Sequence, residues 1–337
     1  MRALRSTRGQ IHLDPRTPEP EPAPGEAVVR VLRAAISPLD LATARGHVPH
    51  EGTLGHECVG IVERLGPDAP SDAGSLVGAR VVIQPEIVCA SCDLCRAGLS
   101  RHCRARQMLG IGGRAGCIAE RVAAPIRNLT RIPDSIDPDI ASLAEPLACA
   151  MHASQIVRIV GKTYITVLGD EPHALLVAQV MARENASVRV LGERPERFGI
   201  AEKWGVKHRH VSEVGRRADQ DVVVCAAPSP AMLDMATALV RPRGKVVLLG
   251  GVAGVGAARG VGDNREPHTG VDLAPVVESE LEIVGARGGR LADAVAALEQ
   301  RRYDLGSLIT RRFKLDDAVG ALRAASEPDA LKVVVEC

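Results

Sequence analysis

Aromatic side chains are nearly missing from this sequence: one tryptophan, two tyrosines and two phenylalanines in 337 residues. The cores must therefore be built from Ala, Val, Leu and Ile, and stacking of single-stranded bases on aromatic platforms is largely excluded. An excess of either charge is missing too. With 42 basic and 41 acidic residues interspersed and a net charge of +1, no field steers the chain to nucleic acid or to an anionic membrane. Long apolar runs are also lacking. The longest uncharged stretch, residues 246–258, is too short and too rich in glycine for a spanning helix of roughly 20 residues. The N-terminal segment MRALRSTRGQ has no apolar core of a secretory signal. These absences leave a cytoplasmic protein with a small-molecule partner, no nucleic acid and no membrane as the expectation.

The chain is long enough for two domains of ordinary size, and 46% of it is hydrophobic. After the proline-rich stretch PRTPEPEPAPGE, short apolar segments recur between glycines: AVVRVL, CVGIVERL, ARVVI and GCIAERVA. Their spacing predicts a β-rich N-terminal unit. From Thr163 onward strand patterns alternate with helix patterns, from TYITVL through SVRVL and DVVVCA to KVVLLG. That alternation predicts a doubly wound α/β unit with a parallel sheet. The tail, ending in LKVVVE, either rejoins the first unit or stands as a separate piece.

Nine cysteines are present, and their distribution is uneven. Cys58, Cys117, Cys149, Cys225 and Cys337 are scattered, whereas Cys89, Cys92, Cys95 and Cys103 follow a C-x2-C-x2-C-x7-C pattern. Four thiolates in one short lobe suit a closed tetrahedral zinc site in a reducing compartment better than they suit disulfides. The spacing departs from the ferredoxin run, which closes after three residues and continues into proline. Arg96, Arg101 and Arg104 either offset the thiolate charge or are simply solvated.

These cysteines, together with Gly55-His56-Glu57 in LGHECVGIVERLG, Glu145-Pro146 in AEPLACAMHA, the strand-glycine-helix unit, PERF and RPRGKVVLLGG, resemble the zinc-dependent medium-chain dehydrogenase/reductase family, in particular its sorbitol and threonine dehydrogenase-like branch. The resemblance spans nearly the whole chain. It implies a GroES-like catalytic domain made of residues 1–155 and 288–337, with the zinc lobe at about 86–106, and a Rossmann domain from 156 to 287. It also implies hydride transfer between a secondary alcohol or ketone and NAD(P), in a cleft between the domains of a homodimer or homotetramer.

The resemblance further implies a second, catalytic zinc that polarises the alcohol oxygen as a Lewis acid. The family pattern of cysteine ligand, hydroxyl relay and aspartate falls on Ser37, Leu39 and Asp40 in AAISPLDLA. A serine hydroxyl is a poor zinc ligand at neutral pH, so the remaining candidates are His56, Glu57 and Glu145, with Asp40 expected to orient the histidine.

The cofactor contacts implied by the resemblance are Gly169, Asp170, Glu171, Pro172, His173, Gly192, Arg194, Cys225 and Gly250. In VLGDEPHALLVAQ the first fingerprint glycine is Gly169, the second position is Glu171 and the third is Ala174. Glutamate at the second crowds and repels a pyrophosphate that normally meets only helix N–H groups. Pro172 suits the first turn of a helix, so Asp170 or Glu171 is expected to cap that helix in place of phosphate. Gly192 stands where an acid would bind the ribose of NAD. With Arg194 close by, this either favours NADP over NAD or records loss of the ribose contact. Erosion at Ser37, Leu39 and Glu171 keeps open a second expectation, a non-catalytic binding or scaffold protein that retains the fold and the structural zinc.

Overall fold

The computed structural model describes residues 1–215, 217–227, 229–249 and 272–337. These divide into two units, Met1–Ala148 with Arg290–Cys337, and Cys149–Gly289. The first division falls a few residues before the boundary expected at 155.

In chain order, the first unit contributes strand β1 (Glu26–Ala35), helix α1 (Pro38–Ala44), and strands β2 (Glu57–Leu65), β3 (Arg80–Ile83), β4 (Arg121–Pro125) and β5 (Leu129–Arg131); helix α2 (Ala144–Val157) begins in it and ends in the second unit. The second unit supplies β6 (Tyr164–Leu168), α3 (Pro172–Arg183), β7 (Ser187–Gly192), α4 (Phe198–Lys203), β8 (Lys207–His210), β9 (Gln220–Cys225), α5 (Pro230–Leu239), β10 (Val240–Leu249) and β11 (Glu282–Ala286). The tail then adds α6 (Leu291–Glu299), β12 (Ile309–Lys314), α7 (Ala318–Ala325) and β13 (Lys332–Glu336).

The tail rejoins the first unit. Its seven-stranded sheet runs β5-β3-β2-β1-β13-β12, with β4 also paired to β1. Val29, Val31, Val62, Val81, Val333 and Val335 from these strands share one core, consistent with β-branched residues packing on a pleated face. Register decides what this sheet does for function. Ala35 of β1 lies opposite both Glu57 of β2 and Val334 of β13, so the start of β2 and the start of β13 meet at one end of the sheet.

The second unit is a six-stranded sheet in the order β8-β7-β6-β9-β10-β11, every neighbouring pair parallel. Read from the first strand of the unit, this is the 3-2-1-4-5-6 order of a doubly wound dinucleotide-binding sheet. The strand order reverses at β6, whose C-terminal end carries Gly169. Strands β9 and β10 carry the continuous apolar runs VVVC and VVLL because both faces of the sheet are covered there, whereas β8, at one edge, reads KHRH.

Candidate functional site

Three clusters of chemically active side chains emerge from this frame. In the cysteine lobe, Cys89 and Cys103 Sγ lie 3.5 Å apart, while Cys89 to Cys95 and Cys92 to Cys103 are each 4.0 Å. A tetrahedron of sulfurs about 2.3 Å from a central zinc has edges of roughly 3.8 Å, so the four thiols fit the ion. Backbone N–H groups, Ser91 first, lower the Cys89 thiol to about 6, whereas burial pushes Cys95 up to about 12. A central cation is what turns such an uneven set into four thiolates. The Arg104 guanidinium is paired with Asp93 at 3.0 Å, while the backbone N–H of Cys95, helped by that of Arg104, lowers the Cys92 thiol.

The second cluster sits at the head of β2. Gly55, at φ +98°, makes the turn that delivers His56; a Cβ there would lie 2.8 Å from the backbone nitrogen of Ile118, so glycine is required. His56, Glu57 and Glu145 each bring one ligand atom to within 4.8 Å of the others. His56 is 3% exposed, and its Nδ1 is buried without a hydrogen-bond partner, an orphaned atom of the kind a metal satisfies.

Asp40 does not orient this histidine, contrary to expectation. Its Oδ1 accepts the Gly55 N–H at 3.0 Å, and its Oδ2 accepts the Ser37 N–H at 2.9 Å and the Ser37 hydroxyl at 2.7 Å. Ser37 in turn accepts the Asp40 N–H at 3.1 Å, closing a capping box at the start of α1, with Pro38 in the first turn. The hydroxyl standing at the family's cysteine position is thus spent on a helix terminus, which removes it as a ligand. Asp40 instead fixes the turn before His56.

The sequence reading missed Lys332. Its Nζ donates to both oxygens of Glu57, at 2.5 and 2.7 Å, and both side chains are less than 5% exposed. A lysine at the head of the apolar run KVVVE was the available signal, because a buried ammonium demands an anionic partner. The donor set His56, Glu57 and Glu145 fits a divalent ion, but Glu57 is shared with a competing cation.

The third cluster surrounds the turn after β6. Glu171 occupies the N-cap position of α3, yet its side chain makes no capping bond. It folds back over Gly169, where its Oε2 would lie 2.6 Å from an added Cβ, and that oxygen is buried without a partner. Burial, and then the neighbouring Asp170 charge, raise the Glu171 carboxyl above its ordinary range. The expected capping role is therefore overturned for Glu171. It is overturned for Asp170 too, whose carboxylate turns to the end of β7 and bonds the Glu193 and Arg194 N–H groups. Arg194 is taken by this carboxylate at 2.8 Å rather than held free for a cofactor phosphate.

Pro172 and the half-buried His173 open α3, and Gly192 closes β7. Cys225, expected near the cofactor, is packed with Leu168, Leu191 and Val223 and donates to the Met232 carbonyl at 3.8 Å; burial pushes its thiol up to about 12. Its chemistry is that of a core residue. Gly250 lies outside the described residues. As arranged, the turn does not fit a bound pyrophosphate: the acids must move first.

Comparison with known proteins places these clusters in context. Residues 23–134 match the alcohol dehydrogenase GroES-like domain. The chain is 28% identical to an L-threonine 3-dehydrogenase of Sinorhizobium medicae, covering 100% of this chain and 98% of that one. It is 26% identical to a sorbitol dehydrogenase of Halalkalibacterium halodurans, covering 94% and 93%. A crystal structure described as a zinc-binding dehydrogenase from Sinorhizobium meliloti 1021, bound to NADP, superposes with a TM-score of 0.86 at 26% identity over 100% of this chain and 99% of that one. With the cysteine lobe and the Gly55-His56-Glu57 turn in place, residues 23–134 carry the alcohol dehydrogenase GroES-like domain, and along nearly its whole length the chain is similar to threonine, sorbitol and zinc-binding dehydrogenases.

Proposed function

We propose that this protein is an NAD(P)-dependent oxidoreductase acting on a secondary alcohol or its ketone, with a structural zinc on Cys89, Cys92, Cys95 and Cys103 and a catalytic metal on His56, Glu57 and Glu145. The observation that carries the reading is the convergence of one imidazole and two carboxylates to within 4.8 Å, on an imidazole whose Nδ1 is buried and unpartnered. A metal there acts as a Lewis acid on the substrate oxygen. The chain's own contribution is placement. Asp40 and Gly55 fix the turn before His56, and Lys332 holds Glu57 and tunes how much of its charge a metal receives. The parallel sheet in dinucleotide-binding order supports the cofactor class. Among the described residues no helix is long and apolar enough to cross a membrane. Work in the cytoplasm, on a small molecule and as a homodimer or homotetramer, completes the proposal.

Elemental analysis of purified, unchelated protein tests the metal assignment. A value near two zincs per chain is expected, falling to near one in His56→Ala and also losing one in Cys103→Ser. Zinc-free wild-type protein would sink both sites. The Glu57–Lys332 pair and the acids over Gly169 favour a second reading, a non-catalytic family member. One zinc per chain, with no dinucleotide-dependent turnover on a panel of secondary alcohols and ketones, would decide for it.

A further inference from the structure

Strands β8 and β9 are parallel with β7 and β6 between them, yet only residues 211–219 join them. A parallel crossover ordinarily takes roughly a dozen or more residues and lays a helix on the sheet. The described residues of this link hold one 3₁₀ turn, Val211–Glu213, and no α-helix. Over β6 and β9 the face is covered, because Ala236 and Leu239 of α5 pack on Leu168 and Val223. Towards β8 the same face carries cations. Thr166 lies opposite Arg189 of β7, Arg189 lies opposite Lys207 of β8, and Arg209 follows two residues on. Where the helix is missing, a cavity of about 290 Å³ opens, lined by Arg189, Arg209, Arg217, Glu213, Val214 and Asp219.

Arg189 is the half-buried member of this lining, and it is anchored. Its Nη2 donates to the Thr166 hydroxyl at 3.1 Å, that hydroxyl donates to Gln220 Oε1 at 2.8 Å, and Gln220 Nε2 donates to Asp219 Oδ1 at 2.6 Å. The Arg189 Nε is buried with no partner among the described residues. Burial lowers the Arg189 guanidinium below its ordinary range, against the pull of Asp219 and with the push of Arg209. Among the described residues no ion pair involves Arg209 or Arg217. We propose that this cavity binds the phosphate group of a small metabolite, with Arg189 at its base and Arg209 and Arg217 at its rim. Guanidinium forks match phosphate oxygens in geometry and charge. The carboxylates of Glu213 and Asp219 oppose the ligand, but both residues are exposed, so water screens them. The volume reaches the lower end of small-molecule sites, roughly 300 Å³, and leaves room for the body that carries the phosphate. The site stands apart from the dinucleotide reading: Arg189 lies within β7 and Asp219 precedes β9, whereas the cofactor turn follows the far end of β6.

Calorimetric titration with inorganic phosphate, glycerol 3-phosphate and malonate at fixed ionic strength tests the proposal. Wild type should bind both phosphates saturably, glycerol 3-phosphate the more tightly, and malonate at least about tenfold more weakly than either. Arg189→Met, which keeps most of the side-chain volume, should weaken phosphate at least about tenfold, the scale of a lost charge-assisted hydrogen bond. Arg209→Ala alters an exposed side chain and should weaken phosphate at least about threefold, so the test survives a failure of Arg189→Met to fold. Glu213→Gln, which removes an opposing charge, should tighten it. Arg194→Ala, at the cofactor end of β7, should leave phosphate affinity unchanged. Absence of phosphate binding, affinity that Arg209→Ala leaves intact, or malonate bound as well as phosphate each overturn the proposal. Loss in Arg194→Ala with retention in Arg209→Ala puts the phosphate at the cofactor turn, which overturns this site and leaves the dinucleotide reading standing.

Discussion

Lys332→Met lowers the unfolding free energy by about 3–5 kcal/mol at neutral pH, the range expected when one partner of a buried ion pair is removed and the other charge is left behind. The stranded charge is Glu57, 3% exposed and held by Lys332 through both carboxylate oxygens. The pair itself need not stabilise the fold, since the desolvation of two ions offsets much of their attraction. The double variant Glu57→Gln with Lys332→Met should therefore recover most of the loss. A second consequence concerns the metal. With the ammonium gone, Glu57 is free to serve a divalent ion beside His56 and Glu145, so added zinc should raise the stability of Lys332→Met more than that of wild type. Denaturant melts with and without zinc give both results. Equal stability of wild type and Lys332→Met would show that the two side chains are not buried together.

That pair also shows where the sequence stops being legible. Lys332 and Glu57 are 275 positions apart and meet only because β13 pairs with β1 and β1 with β2, a register that no local pattern encodes. The four cysteines could be read directly, because a zinc site compresses its ligands into one short lobe whose spacing is itself the signal. The alternation of strands and helices was legible at β6, β7, β9 and β10 for a similar reason, since periodicity is local, whereas β8, which reads KHRH, carries no apolar pattern to find. Ser37 shows a local signal set against the family pattern. The S-x-x-D spacing with proline in the first turn is that of a capping box, yet measured against a cysteine ligand it reads as erosion; in the structure the helix start claims the hydroxyl. Asp170 shows the reverse. An acid just before a helix suggests a cap, but the amides and arginines at the end of β7 offer four donors against the orphan N–H groups of α3, and the distant set wins.

Glu171→Gly tightens binding of NADH and NADPH alike, by an expected factor on the order of ten to a hundred. The wild-type side chain folds over Gly169 at the start of α3, where a pyrophosphate would meet the helix N–H groups. A phosphate entering there must displace the glutamate or face a like charge, at on the order of several kcal/mol for a close contact at an effective dielectric near 20 before relaxation. The mutation lifts both obstacles, and glycine at an N-cap position costs only a few tenths of a kcal/mol. Burial has already raised the Glu171 carboxyl, and its Oε2 has no partner, so the ionised form is disfavoured in the folded protein. A raised carboxyl binds its proton more tightly folded than unfolded, so the stability linked to that proton is fully present at pH below about 4.5, the ordinary value, and is lost as pH rises through the folded value. Glu171→Gln, which cannot ionise, should accordingly melt higher than wild type at pH 8 and nearly level with it at pH 4. Wild-type affinity for dinucleotide should likewise improve as the pH falls and Glu171 takes up its proton. Calorimetric titrations of wild type and Glu171→Gly at pH 6 and pH 8, beside melts of Glu171→Gln, check the two effects together. Tight, pH-independent binding by wild type that the glycine variant does not improve would remove Glu171 from the path of the pyrophosphate.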